Sequence, residues 1–152
     1  MPESRASTPS PAAEEDLGIV DGLAQLSFLV QHELGQVAAE HGLSIIQLRL
    51  LGVLRDRTPG MQQLGRHLGL DKSSMTGLVD RAERRGLVQR IPAPHDGRGI
   101  QVSLTEQGHE LTSVCTAKAN HRIQDLASVL TDEQRTQLSR MATMLVGGPA
   151  TI

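Results

Sequence analysis

The chain has 152 residues, 38% of them apolar and 21% charged, with one Cys, one Phe, no Trp and no Tyr. This is one domain of ordinary size, able to bury roughly two-thirds of its unfolded surface without a disulfide or a structural metal. The scarcity of aromatic rings excludes stacking platforms for single-stranded nucleic acid and aromatic cages for cations. The net charge of -2 conceals an asymmetry: between Arg55 and Leu104 nine Lys/Arg face five acids, a net of +4, which leaves -6 for the rest. A basic middle in an acidic chain suits a polyanion, although a solvated charged face reads the same way.

Residues 1–15, rich in Pro, Ser, Ala and Glu without periodicity, are expected to form a disordered tail. They hold no hydrophobic stretch for a signal peptide, and no apolar run reaches the roughly 18 residues of a membrane span, so a cytoplasmic protein with no membrane partner is expected. After Glu14, Glu15 and Asp16, acids that suit a helix N-terminus, Ile19, Leu23, Leu26, Val30, Leu34 and Val37 recur at spacings of three and four. That spacing predicts a long amphipathic helix over 16–42, ended by Gly42.

Ser44 with Gln47 forms a capping box opening a helix through Ile45, Leu48, Leu51 and Leu54, which Thr58-Pro59-Gly60 stops. A short helix follows with Leu64 and Leu68 on one face, and Gly69 closes it. Asp71 can cap the next helix, whose Met75, Leu78, Val79 and Ala82 form one apolar stripe before Gly86. Two helices joined by about three residues make a helix-turn-helix. The period then changes from 3.6 to 2: Leu87 to Ile91 is β-prone, Pro92 to Gly99 is turn-rich, and Ile100, Val102 and Leu104 alternate with polar residues. A hairpin with a loose tip after a helix-turn-helix predicts a winged helix. From Glu106 a long helix runs through Leu111, Val114, Cys115, Ala119, Leu126 and Leu130, and Thr131 with Gln134 caps a last helix carrying Leu138, Met141, Ala142 and Leu145.

The helix after Asp71 leaves Lys72, Ser73, Ser74, Thr76, Gly77, Asp80, Arg81 and Arg84 off its apolar stripe. Small hydroxyl side chains and a Lys at a helix start suit a DNA major groove, and capping alone would also place Ser73 and Ser74 there. The hairpin tip, Pro94-His95-Asp96-Gly97-Arg98-Gly99, presents one Arg between two glycines; such an Arg can enter a narrow minor groove, with Asp96 orienting it, or belong to a solvated turn.

The stretch from Gly42 to Gly108 resembles the multiple-antibiotic-resistance regulator (MarR) family of winged-helix transcription factors. The resemblance is carried by LGRHLGLDKSSMTGLVDRAERRGLV in the DNA-reading helices, by Asp96 and Arg98 in the wing, and by VSLTEQG in the return strand and next helix. It implies a mainly α fold with a small β-hairpin wing: an N-terminal dimerisation helix at 16–42, a winged helix-turn-helix at 43–105, C-terminal dimerisation helices at 106–147 and a tail at 148–152. It also implies a homodimeric repressor on a palindromic double-stranded operator, released by a small effector. By the same resemblance Lys72, Ser73, Ser74 and Thr76 work in the major groove and Arg98 in the minor groove, Arg66, Arg84, Arg85 and Arg90 are assigned to phosphates, and Arg81 is counted among the DNA-binding residues without a groove of its own. Gly77 departs from relatives that carry a longer side chain on the reading face, and Gly97 and Gly99 imply a flexible wing.

For the effector, Gln31, His32 and Arg49 are polar residues within apolar helices; with Phe28 they could line a site for a carboxylate or phenolate, or simply face solvent. Cys115, on or beside an apolar stripe, reads as a small core hydrophobe rather than an oxidation sensor. Glu40, His41, His109 and Glu110 are chemically suitable for zinc, but Ser113 stands four residues after His109 where a helical partner ligand would be needed. No cofactor is required. The chain lacks GxSxG, HExxH and GxGxxG patterns, and in Gly69-Leu70-Asp71-Lys72-Ser73 an Asp replaces a phosphate loop's second glycine, so no enzyme is expected. A winged helix binding only protein would have no need of Arg98 or of the basic middle.

Overall fold

The computed structural model describes residues 15–147, the Asp96 side chain excepted. The expected tails fall outside these residues, save Glu15, and the orienting role expected of Asp96 falls outside them too. Four helices, α1 (Gly18–Glu40), α2 (Ile45–Leu54), α3 (Met61–Leu68) and α4 (Lys72–Arg84), precede an antiparallel hairpin, β1 (Val88–Ala93) and β2 (Asp96–Leu104). Helix α5 (Glu106–Leu126), a 3₁₀ turn at Ala127–Val129 and α6 (Asp132–Val146) complete the chain.

Local chemistry sets these boundaries. Ser44 and Gln47 satisfy each other's backbone N–H groups in a full capping box, and Thr131 with Gln134 does the same for α6. Asp71 caps α4 by accepting from the Ser74 N–H at 2.7 Å. Gly42, Gly69 and Gly86 lie at φ of 63°, 66° and 72°, the left-handed region that ends a helix at little cost only in glycine. The long helix from Glu106 stops earlier than its apolar spacing suggests, with the 3₁₀ turn between Leu126 and Leu130.

The wing is longer and tighter than expected. Pro92 and Ala93 belong to β1 and residues 96–99 to β2, so the turn-rich stretch is mostly strand and only Pro94 and His95 turn. Proline is tolerated because a two-stranded ribbon is all edge and leaves N–H positions that need no partner. The register pairs Pro92 with Ile100 but Ala93 with Asp96, so residues 97–99, with Arg98 at their centre, bulge from the ladder. A bridge between Gly60 and Gln101 ties the ribbon to the start of α3.

The core lies in the winged helix. Leu50, Leu51, Leu64, Met75, Leu78, Val79, Val88 and Val102 are each at most 2% exposed. At the wing root the packing is close: a Cβ on Gly108 would sit 1.9 Å from the Leu87 carbonyl oxygen, so only glycine lets α5 start there. The Thr105 hydroxyl donates to the Gly86 carbonyl at 2.5 Å and accepts from the Gly108 N–H at 3.0 Å. The two chain ends differ from this core. Helix α1 buries only Val37 and Ala38 and α6 buries nothing, while Ile19, Val20, Phe28, Met144, Leu145 and Val146 are exposed. No single helix among the described residues is long and apolar enough to cross a membrane.

Candidate nucleic-acid interface

Helices α3 and α4 meet through a three-residue turn whose tightness is written in two glycines. Gly69 takes the left-handed conformation, and the Leu70 N–H returns to the Gly65 carbonyl at 2.9 Å. A Cβ on Gly65 would lie 3.1 Å from the Leu70 carbonyl oxygen. The buried stripe Met75, Leu78, Val79 and Ala82 holds α4 against the core and turns its other side outward.

On that outer side the first turn is ordered in advance. The Asp71 carboxyl is held below its ordinary range, first by the Ser74 backbone N–H and then by the Ser74 and Ser73 side chains. The Ser73 hydroxyl donates to Asp71 at 3.2 Å and the Thr76 hydroxyl to the Lys72 carbonyl at 2.8 Å. With their protons so engaged, both hydroxyl oxygens keep lone pairs available to accept a hydrogen bond. Around them Arg66, Lys72, Arg81 and Arg84 are exposed, and none makes a side-chain hydrogen bond or ion pair to a described residue. Arg98 stands on the wing bulge, exposed. This arrangement, a capped helix amid four uncompensated cations with an arginine-bearing ribbon beside it, suits the negative charge of a duplex.

Two of the arginines assigned to phosphates are employed inside the protein. Arg90 on β1 donates to Asp80 at 2.6 Å and to Glu83 at 2.5 Å on α4, and its charged form is favoured first by the Asp80 hydrogen bond. It is a strut between wing and α4. Arg85 donates to the Gly42 carbonyl at 2.9 Å and the His41 carbonyl at 3.1 Å, placing its charge at the negative end of α1.

Comparison with known proteins agrees with this geometry. A profile described as MarR family matches residues 41–99. The regulator PecS of Dickeya dadantii is 26% identical over 128 residues, covering 82% of this chain and 77% of PecS. The homoprotocatechuate degradative operon repressor of Escherichia coli is 27% identical, covering 69% of this chain and 72% of that protein. The crystal structure of NadR in complex with 4-hydroxyphenylacetate superposes with a TM-score of 0.73 at 23% identity, over 92% of this chain and all of that one.

The winged-helix segment, residues 41–99, is similar to the MarR family. The chain is a DNA-binding transcriptional regulator of the repressor type, with a mainly α winged-helix fold like that of the MarR structures.

The chain has a cavity of about 220 Å³ where α1, α2 and α5 meet, lined by Leu34, Leu48, Arg49, Cys115, Thr116 and Asn120 among others. Of the four residues read from sequence as effector contacts, only Arg49 lines it. Phe28, Gln31 and His32 stand on the exposed side of α1, with Phe28 68% accessible. The helix rotates them away because Leu34 and Val37, not Phe28, set the face that packs on α2 and α5. Thr112, Thr116 and Asn120, spaced by four on α5, supply a polar wall that the apolar spacing of that helix does not reveal. Cys115 is buried, and burial pushes its thiol pKa up, as for a core residue rather than a reactive thiolate.

The residues considered for zinc do not converge. Glu40 is held by Lys118 and Arg122, each at 2.7 Å. His41 has a buried Nε2 with no hydrogen-bond partner among the described residues, and His109 is exposed at the start of α5. No group of three or more His, Cys, Asp or Glu side chains among the described residues could hold a metal ion.

Proposed function

We propose that two copies of this chain bind a palindromic operator, each inserting α4 in the major groove and its wing in the neighbouring minor groove. The observation that carries this reading is the set of uncompensated cations, Arg66, Lys72, Arg81 and Arg84, around the capped start of α4. Ser73, Ser74, Thr76 and Arg81 read base edges, Arg98 enters the minor groove, and Arg66, Lys72 and Arg84 hold phosphates. The second copy is called for by the apolar ends: Ile19, Leu23 and Phe28 on α1 and Met141, Met144 and Leu145 on α6 are all more than a third exposed in one chain. An isologous pairing would bury both ends and set two copies of α4 about one DNA turn apart. The molecule acts as a binding protein rather than an enzyme, in the cytoplasm and on the nucleoid when DNA is bound.

The cavity between α1, α2 and α5 is our site for a small organic effector bearing an anionic group. Arg49 supplies the charge, while Leu34 and Leu48 supply apolar walls. It lies where the dimerising helix meets the winged helix, so an occupant there alters the spacing of the two α4 helices. Anisotropy of a labelled duplex from upstream of the protein's own gene, titrated at two salt concentrations beside a scrambled duplex, tests the central reading. Tight, sequence-selective and steeply salt-dependent binding at two chains per site supports it. Absence of binding at low salt sinks it.

A further inference from the structure

Gly77 occupies the second turn of α4, where a glycine weakens a helix relative to alanine. A Cβ built on it would lie 3.2 Å from Nη1 of Arg81, one turn further on. The Arg81 side chain therefore runs back along the helix and rests its guanidinium over the Gly77 backbone, the direction in which helical side chains lean. A shallow groove of about 290 Å³ beside it is lined by Leu70, Ser73, Ser74, Gly77 and Arg81. The two carboxylates of α4 nearest in sequence, Asp80 and Glu83, are both occupied by Arg90. The Arg81 side chain makes no hydrogen bond or ion pair to a described residue, so nothing there draws it away from the groove.

We propose that Gly77 and Arg81 form a single base-reading unit, in which the missing side chain at position 77 lets Arg81 present its guanidinium at the level of Ser73 and Ser74. There its planar fork donates to the N7 and O6 of a guanine. Gly77 is thus a specificity-determining position although it offers no group of its own. The inference rests on α4 being the major-groove helix. It also accounts for a glycine where helix stability favours alanine.

The experiment uses the full chain. The wild-type protein selects its preferred duplex from a randomised library, and every single-pair substitution of that duplex then competes against it in an anisotropy assay. Wild type, Gly77→Ala, Arg81→Lys, Arg81→Ala and the Gly77→Ala/Arg81→Ala double variant are compared. We expect Arg81→Ala to lose roughly tenfold discrimination at one G·C pair, the scale of a bidentate contact. Gly77→Ala should lose discrimination at the same pair while melting at a higher temperature, and the double variant should be no worse than either single one. Arg81→Lys should keep overall affinity and lose the guanine preference. Wild-type preference retained in Gly77→Ala, or losses that multiply in the double variant, would overturn the proposal. Failure of the wild-type chain to select any sequence would overturn it together with the placement of α4, and is distinguished by that step.

Discussion

Arg122 on α5 donates to Oε1 of Glu40 at the end of α1, at 2.7 Å, while Lys118 one turn earlier holds Oε2 of the same carboxylate at 2.7 Å. Arg122 also reaches Glu33 at 3.3 Å. These contacts fasten the C-terminal half of α1 to α5, beside the cavity under Arg49. They hold the Glu40 carboxyl below its ordinary pKa of 4.5, the Lys118 hydrogen bond first and Arg122 second. A depressed carboxylate pKa contributes stability that is fully present above the unfolded value and is lost as pH falls through the folded one. Thermal melts followed by circular dichroism should therefore show wild type losing Tm below about pH 4.5 more steeply than Glu40→Gln. Parallel slopes for the two proteins would remove this role.

Arg98 stands at the centre of the β2 bulge, where the ladder register slips between Pro92 and Ala93. Replacement by Ala should weaken operator binding by ~1–3 kcal/mol, as for an arginine in a narrow groove. Unchanged affinity at fixed salt would show that the wing does not touch DNA.

Lys72 and Arg90 differ in what their charges face, and two substitutions separate them. Lys72→Ala should lower affinity for specific and scrambled duplexes alike and reduce the salt slope by about one per chain. Arg90→Ala should leave that slope unchanged and lower Tm, because it removes the strut to Asp80 and Glu83. A reduced slope in Arg90→Ala would return this residue to the phosphate contacts.

Gly108→Ala tests the wing root. The new methyl group would collide with the Leu87 carbonyl oxygen, 1.9 Å from the ideal Cβ position. Relieving that overlap by shifting backbone should cost ~1–3 kcal/mol. A denaturant midpoint within error of wild type would mean that α5 can start elsewhere.

Much of this molecule was legible in its sequence, because the relevant signals are local. Capping depends on a side chain and a backbone N–H three residues away, so Ser44, Asp71 and Thr131 announced their helices unaided. The change of apolar period after Leu87 announced the wing, and the stripe from Met75 to Ala82 showed which side of α4 is turned outward. The wing's length is not legible in the sequence because Pro and Gly suggest turns, whereas ribbon pairing carries Pro92 and Ala93 into β1 and residues 96–99 into β2.

Partner choice across the fold was decided only by tertiary structure. A charged residue on an amphipathic element reads the same whether it meets water, phosphate or a carboxylate many residues away. Packing β1 on α4 gave Arg90 two acids, and bringing the end of α4 beside the turn after α1 gave Arg85 the carbonyls of His41 and Gly42. Helix rotation likewise separated Arg49 from Phe28, Gln31 and His32, since a few tens of degrees about α1 decide which side chains meet α5. Sequence alone determined the order of the elements, most of their starts and the outward side of α4. The tertiary structure decided which cations remain available to a ligand, because electrostatic pairing acts through space rather than along the chain.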